Sequence, residues 1–207
     1  MENKQIIFWN VDTQVDFVEP DGKLYVSGAE KLKPIWEQLT DLAKEKGISV
    51  VNTADFHYPE SAELSDKPDF VNTFPQHCMA NTPGAEYVAE TQPENPVVFN
   101  WDNDYDTFDS VREERNTIIR KDAFDVFVGN PYTDNILKIL SPKIVVVYGV
   151  TTNVCVNDAV VGLSKRMKRV IVLEDAIKEL PNIPLPFDDW EKLGIEMMTF
   201  EDFAAKL

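Results

Sequence analysis

Apolar residues along the chain follow two rhythms. Short runs rich in β-branched and aromatic residues occupy 5–11, 49–53, 97–100, 117–120, 143–150, 169–173 and 195–199. Each is too short for an ordinary helix and reads as a strand, the apolar run at 143–150 as one buried on both faces. Between them the period changes to that of a helix. In 29–46, Leu32, Ile35, Trp36, Leu39, Leu42 and Ala43 share one face and Gly47 follows as a stop. In 154–166, Val154, Ala159, Val160 and Leu163 are spaced helically, and Met167 continues the stripe. Further helices are predicted from Gly129-Asn130-Pro131 to Leu140, with Pro131 in the tolerated first turn, over 187–193 before Gly194, and over 201–207. Strands alternating with helices predict an α/β fold, a three-layer, doubly wound, mainly parallel sheet. No repeat, low-complexity tract or linker interrupts the pattern, so residues 1–207 form one domain.

Three of the strands end on residues with chemical capacity: Asp12 after the first, Lys121 after 117–120, and Cys155 just beyond 143–150. In open α/β sheets that carboxyl edge is where ligands bind. Taken singly, each residue has an ordinary explanation: an Asx-type turn, an exposed charge, a small buried hydrophobe. Their coincidence on one edge favours a site. Asn153 or Thr152 is available as N-cap, which puts Cys155 in the first turn of its helix. A thiol of pKa about 8.5 is only a few per cent ionised at neutral pH. Depressing it by roughly 1.5 units takes about 2 kcal/mol. A helix N-terminus supplies about 0.3 to 1 kcal/mol, so a cationic or basic partner is also expected.

From 54 to 84 the periodicity fails, and a loop of that length in a compact domain points to function or disorder. It holds both histidines of the chain, in Asp55-Phe56-His57 and Phe74-Pro75-Gln76-His77-Cys78, with Glu60 and Glu63 between them. An Asp-x-His pair at a strand end, with a second histidine further along, is a plausible ligand set for a divalent metal.

A net charge of −16 and a pI near 4.4 argue against nucleic-acid or anionic-membrane partners. The acidic excess is spread along the chain, as in Asp102-Asn103-Asp104-Tyr105-Asp106, which marks a solvated surface and favours neutral or cationic substrates over dianions. Two cysteines, Cys78 and Cys155, suggest no disulfide framework, and the start Met1-Glu2-Asn3-Lys4 lacks the features of a secretory signal. No apolar stretch approaches the roughly 18 residues that would span a bilayer. A cytoplasmic protein is expected, and homo-oligomerisation is left open.

Asp12-Thr13-Gln14-Val15-Asp16-Phe17, Lys121 and Gly149-Val150-Thr151-Thr152-Asn153-Val154-Cys155, in this order and spacing, resemble the isochorismatase-like cysteine hydrolases. The resemblance implies a catalytic triad of Asp12, Lys121 and Cys155, a cis peptide at Val150-Thr151, and an oxyanion hole from the backbone N–H groups of Thr151 and Cys155. Within that superfamily, 55–57 and 75–86 look like the metal loop of nicotinamidases. That likeness implies a divalent ion (Zn, Mn or Fe) on Asp55, His57 and His77. Where a third histidine is usual, six residues beyond His57, this chain has Glu63; Glu60 is the fallback ligand. Phe17, Phe74 and Phe124 fall where the family places aromatic pocket walls, which suit a flat heteroaromatic ring.

The implied activity is hydrolysis of a small-molecule amide, nicotinamide to nicotinate and ammonia, through a cysteine thioester. Other readings are a cysteine amidohydrolase of carbamoyl or ureido compounds, an isochorismatase-type hydrolase, and an inactive metal-binding or interaction module.

Overall fold

The computed structural model describes residues 5–207, so the expectation about the first four residues lies outside the described chain. Seven strands form one sheet, every neighbouring pair parallel, in the order β3-β4-β2-β1-β5-β6-β7. They are β1 (Ile6–Val11), β2 (Ser49–Asp55), β3 (Val97–Phe99), β4 (Asn116–Lys121), β5 (Ile144–Val150), β6 (Val170–Lys178) and β7 (Glu196–Met198). The central strands β1 and β5 are buried at every position, which explains why their sequences are unbroken apolar runs rather than alternations.

Successive residues of β1 point to opposite faces. Phe8 enters a core with Trp36, Leu39, Ala43, Tyr148 and Phe203, and Trp9 enters a second core with Ile136, Val147, Val156, Val160 and Leu163. Helices α2 (Lys33–Lys46) and α8 (Phe200–Ala204) supply the first core; α5 (Thr133–Leu140) and α6 (Cys155–Ser164) supply the second. The three layers expected from the alternation are present. Gly47 ends α2 in the left-handed conformation at φ 63°.

Four details differ from the sequence reading. The expected helix from Gly129 to Leu140 is two pieces, α4 (Val126–Gly129) and α5, because the Asn130 side chain is drawn into the sheet end, donating to the carbonyls of Phe99 and Arg120. Strand β6 runs on through Glu174 and Asp175 to Lys178, since both acids sit on its exposed stretch. The N-cap of α6 is Val154, with no side-chain cap. Asn153 instead donates to the carbonyls of Leu180 and Ile183 and accepts from Leu180 N–H, fastening the segment after β6 to the turn before Cys155. The short helices α1 (Val15–Val18) and α3 (Ser110–Glu113) were not expected; α7 (Phe187–Lys192) was.

The strand order changes direction beside β1. From β1 the chain passes to β2, out to the edge strand β3 and back to β4 between them on one side, then crosses to β5, β6 and β7 on the other. A crevice at the carboxyl ends of β1 and β5 follows from that reversal.

Candidate active site

Four adjacent strands, in the order β4, β2, β1, β5, each deliver one reactive side chain at their carboxyl ends: Lys121, Asp55, Asp12 and, one turn beyond β5, Cys155. The close approach of β1 and β5 requires Gly149, which lies opposite Val11 at φ 121° and whose added Cβ would fall inside the Val11 carbonyl. The Val150-Thr151 peptide is cis, as the family resemblance implied.

Lys121 Nζ is 3.0 Å from Asp12 Oδ2 and 3.7 Å from Cys155 Sγ, and it is also paired with Asp55 Oδ1. Carboxylate oxygens of Asp12 and Asp55 and the sulfur all lie within 4.8 Å of one another. Thr53 Oγ1 donates to Asp12 Oδ1 at 2.6 Å, and Asp12 adopts φ 47°. Gln14, inside the Asp12–Phe17 motif but given no role from sequence, clasps the backbone of Asp55. Its Nε2 donates to Asp55 O and its Oε1 accepts from Asp55 N, each at 2.8 Å. Asp16 accepts from Lys23 N and Cys78 N, tying two loops together.

Cys155 is only 5 % exposed, and burial pushes its thiol well above the ordinary range; Lys121 counters this, while Asp12 and Asp55 add to it. Burial and the two carboxylates thus oppose ionisation of the sulfur, and the Lys121 ammonium favours it. Asp12 is also raised, by burial first, with Lys121 offsetting part of it. A raised carboxylate is the stronger base. Burial would lower the Lys121 ammonium, but Asp12 and Asp55 hold it well above the usual lysine value. Asp55, despite burial, stays well below the usual carboxylate range because of Lys121 and the neighbouring histidines.

The second cluster shares Asp55. Its Oδ2 lies 3.8 Å from His57 Nε2 and 3.6 Å from His77 Nε2, beyond hydrogen-bond reach. Three donor atoms around a zinc ion at about 2.0–2.1 Å stand roughly 3.4 Å apart, close to this spacing. Both outer ring nitrogens are engaged: His57 Nδ1 meets Asp122 Oδ1 at 2.8 Å and His77 Nδ1 meets Pro75 O at 2.7 Å. His57 Nε2 is buried with no hydrogen-bond partner. An orphaned nitrogen beside a carboxylate fits a metal ligand set. Burial pulls His57 down, but Asp122 and Asp55 outweigh it and place the imidazole at about 9 without a metal ion.

Glu63 lies outside the tight set of Asp55, His57 and His77. Its Oε1 accepts from Phe124 N–H at 2.5 Å, and its Oε2 is buried without a partner. Burial, then the Asp55 charge, raises it to about 7. Glu60 is exposed and likewise is not part of that set. Aromatic rings surround His77: Phe17 at 5.3 Å and Phe74 at 6.4 Å between centroids, with Phe124 5.6 Å from Phe74. Phe17 and Phe74 are buried and Phe124 half-buried. A groove of about 870 Å³, lined by Leu137, Lys143, Arg166 and Lys168, is at the opposite edge of the sheet. It is unrelated to this chemistry.

With this geometry established, the chain belongs to the isochorismatase domain family, which it matches over residues 6–204. The Mycobacterium tuberculosis nicotinamidase/pyrazinamidase is 35% identical over 77 residues, a stretch that covers 37% of this chain and 40% of that protein. The crystal structure of Pyrococcus horikoshii pyrazinamidase in complex with zinc superposes with a TM-score of 0.73 at 27% identity, covering 95% of this chain and 99% of that one. N-carbamoylsarcosine amidase from Thermoplasma acidophilum shares the fold, with a TM-score of 0.72 at 21% identity over 94% of this chain and 96% of that one.

Proposed function

We propose that the protein is a cysteine amidohydrolase that cleaves a primary carboxamide through a thioester, with nicotinamide as its substrate. The observation that carries this reading is the convergence of Asp12, Lys121 and Cys155 at the crevice, with Lys121 in reach of both partners. Asp12 removes the Sγ proton as the sulfur attacks the carboxamide carbon. Lys121 stabilises the negative charge as it passes from carboxylate to sulfur. The oxyanion is received by the N–H groups of Thr151 and Cys155. In the same turn Thr152 N–H is given to Lys178 O, and those of Val154 and Val156 to Thr151 O. Asp12 then hands its proton to departing ammonia. It next takes a proton from the water that attacks the thioester, releasing the carboxylate and returning the proton to sulfur.

Asp55, His57 and His77 would hold a divalent metal ion, while Glu63, its Oε2 buried without a partner, stands outside that set. Bound there, the ion supplies a Lewis-acidic anchor for a pyridine ring nitrogen between the phenylalanines. Phe17, Phe74 and Phe124 form the wall against which the ring lies.

A second reading, an amidohydrolase of carbamoyl or ureido compounds, draws on Glu63 standing where the nicotinamidase pattern has histidine. An ammonia-release screen over nicotinamide, pyrazinamide, ureidoacrylate and carbamoyl amines, with and without added divalent metal, tests both. Fastest release from the pyridine carboxamides supports the first reading. Release confined to carbamoyl or ureido compounds supports the second.

A further inference from the structure

Strand β4 does more than present Lys121. The next residue, Asp122, turns the other way and places Oδ1 2.8 Å from His57 Nδ1, the ring nitrogen facing away from Asp55. Ser61 Oγ donates to the same Oδ1, and Ser61 Oγ in turn accepts the N–H of Tyr58 at 3.0 Å. Three segments of the chain therefore meet on one carboxylate oxygen: the end of β4, the residue two beyond β2, and the turn at 58–61. The peptide is held on both sides, since Asp122 N donates to Gly129 O at 3.3 Å and Lys121 O accepts from Phe56 N at 3.0 Å.

We propose that Asp122 is a positioning residue for the metal centre: it accepts from His57 Nδ1–H and so holds the ring with Nε2, the nitrogen left to take a metal ion, facing the gap beside Asp55 and His77. The argument is one of geometry. A neutral imidazole has one donor and one acceptor nitrogen, and the one facing a carboxylate is the donor. His57 Nε2, buried and without a hydrogen-bond partner, is then a ligand atom in waiting. The Asp122 charge also increases the basicity of the ring, strengthening its bond to a cation. Because Lys121 and Asp122 are consecutive, the ammonium of the triad and the support of the metal centre are set by the same strand end. Any shift of β4 moves both.

This inference rests on the proposed metal site, and the test separates the two. Divalent zinc is titrated into chelator-treated protein against a competing chromophoric chelator, for the wild type, Asp122→Ala, Asp122→Asn and Ser61→Ala. The wild type binds one equivalent. Asp122→Ala weakens binding by roughly 10- to 100-fold. Asp122→Asn, whose amide oxygen still accepts from Nδ1–H, loses less than the alanine variant, and Ser61→Ala loses least. Steady-state assays then show KM raised far more than kcat falls, because the ion's part is to bind substrate. Zinc affinity of Asp122→Ala within twofold of the wild type overturns the role of Asp122 and leaves the metal site standing; should that variant fail to fold, Asp122→Ser, too short to reach His57 Nδ1, decides by the same criterion. Absence of zinc binding by the wild type itself overturns both.

Discussion

Replacing Lys121 with methionine is the perturbation with the most calculable consequences. The side chain is 1 % exposed and lies against two carboxylates and a thiol. Methionine keeps most of the volume and removes the charge, so cavity formation contributes little. What remains is a pair of buried carboxylates, Asp12 and Asp55, with no cation between them. Breaking a buried ion pair by removing one partner costs about 3 to 5 kcal/mol. A typical domain has only about 5 to 15 kcal/mol in hand. Lys121→Met should accordingly lower the free energy of unfolding in urea by about 3 kcal/mol or more, measured in chelator-treated protein at pH 7.5. Adding Asp55→Asn should recover part of that loss, because it removes one of the stranded charges. The same substitution raises the pKa of Asp12 and Cys155 further, since Lys121 is the group that lowers both. Alkylation of Cys155 by iodoacetamide should therefore slow, and its pH profile should move to higher pH. A Lys121→Met protein as stable as the wild type, with an unshifted alkylation profile, would show that the ammonium is not the electrostatic centre of the site.

Gly149→Ala, which must displace the Val11 carbonyl just before Asp12 and adopt φ 121°, should destabilise the fold by at least about 2 kcal/mol in urea denaturation. Asn153→Ala removes three hydrogen bonds to Leu180 and Ile183 and should cost about 1 to 3 kcal/mol, with faster limited proteolysis in 180–186. Glu63 gives a pH signature. Its folded pKa, about 7, lies above the ordinary 4.5, so the folded state binds more protons than the unfolded one between those values. Stability should fall as pH rises through that window, by up to about 3 kcal/mol. In chelator-treated protein Glu63→Gln should flatten that part of the stability curve relative to the wild type; identical curves for the two would contradict the assignment.

The parts of the site that were legible in the sequence are those fixed by backbone topology. Parallel strands buried on both faces must be apolar until they end, so Asp12, Lys121 and Cys155 stood out as the first reactive residues after their runs. The sheet order then made three separate ends into one place. Residues whose role depends on side-chain direction were not legible. Asp122 follows Lys121 as one more charge in an acidic chain, and nothing in the residue sequence says that it reaches back to His57. Thr53 and Gln14 read as strand and turn residues, yet one donates to Asp12 and the other holds Asp55. For Cys155, helix position and a cationic neighbour can be inferred from sequence, whereas its depth of burial and the second carboxylate beside it cannot. The extension of β6 was missed because Glu174 and Asp175 look like a strand end, although on an exposed stretch they need not interrupt the ladder. Asp175 uses that exposure to accept from Phe200 N–H at 2.9 Å, at the start of α8.

Intact-protein mass spectrometry of a rapidly acid-quenched reaction with nicotinamide, comparing the wild type with Cys155→Ala, addresses the proposed chemistry most directly. The account predicts a transient adduct on the wild type equal to a nicotinoyl group, localised by peptide mapping to Cys155, and neither adduct nor ammonia from Cys155→Ala. Ammonia release by Cys155→Ala at the wild-type rate would contradict it.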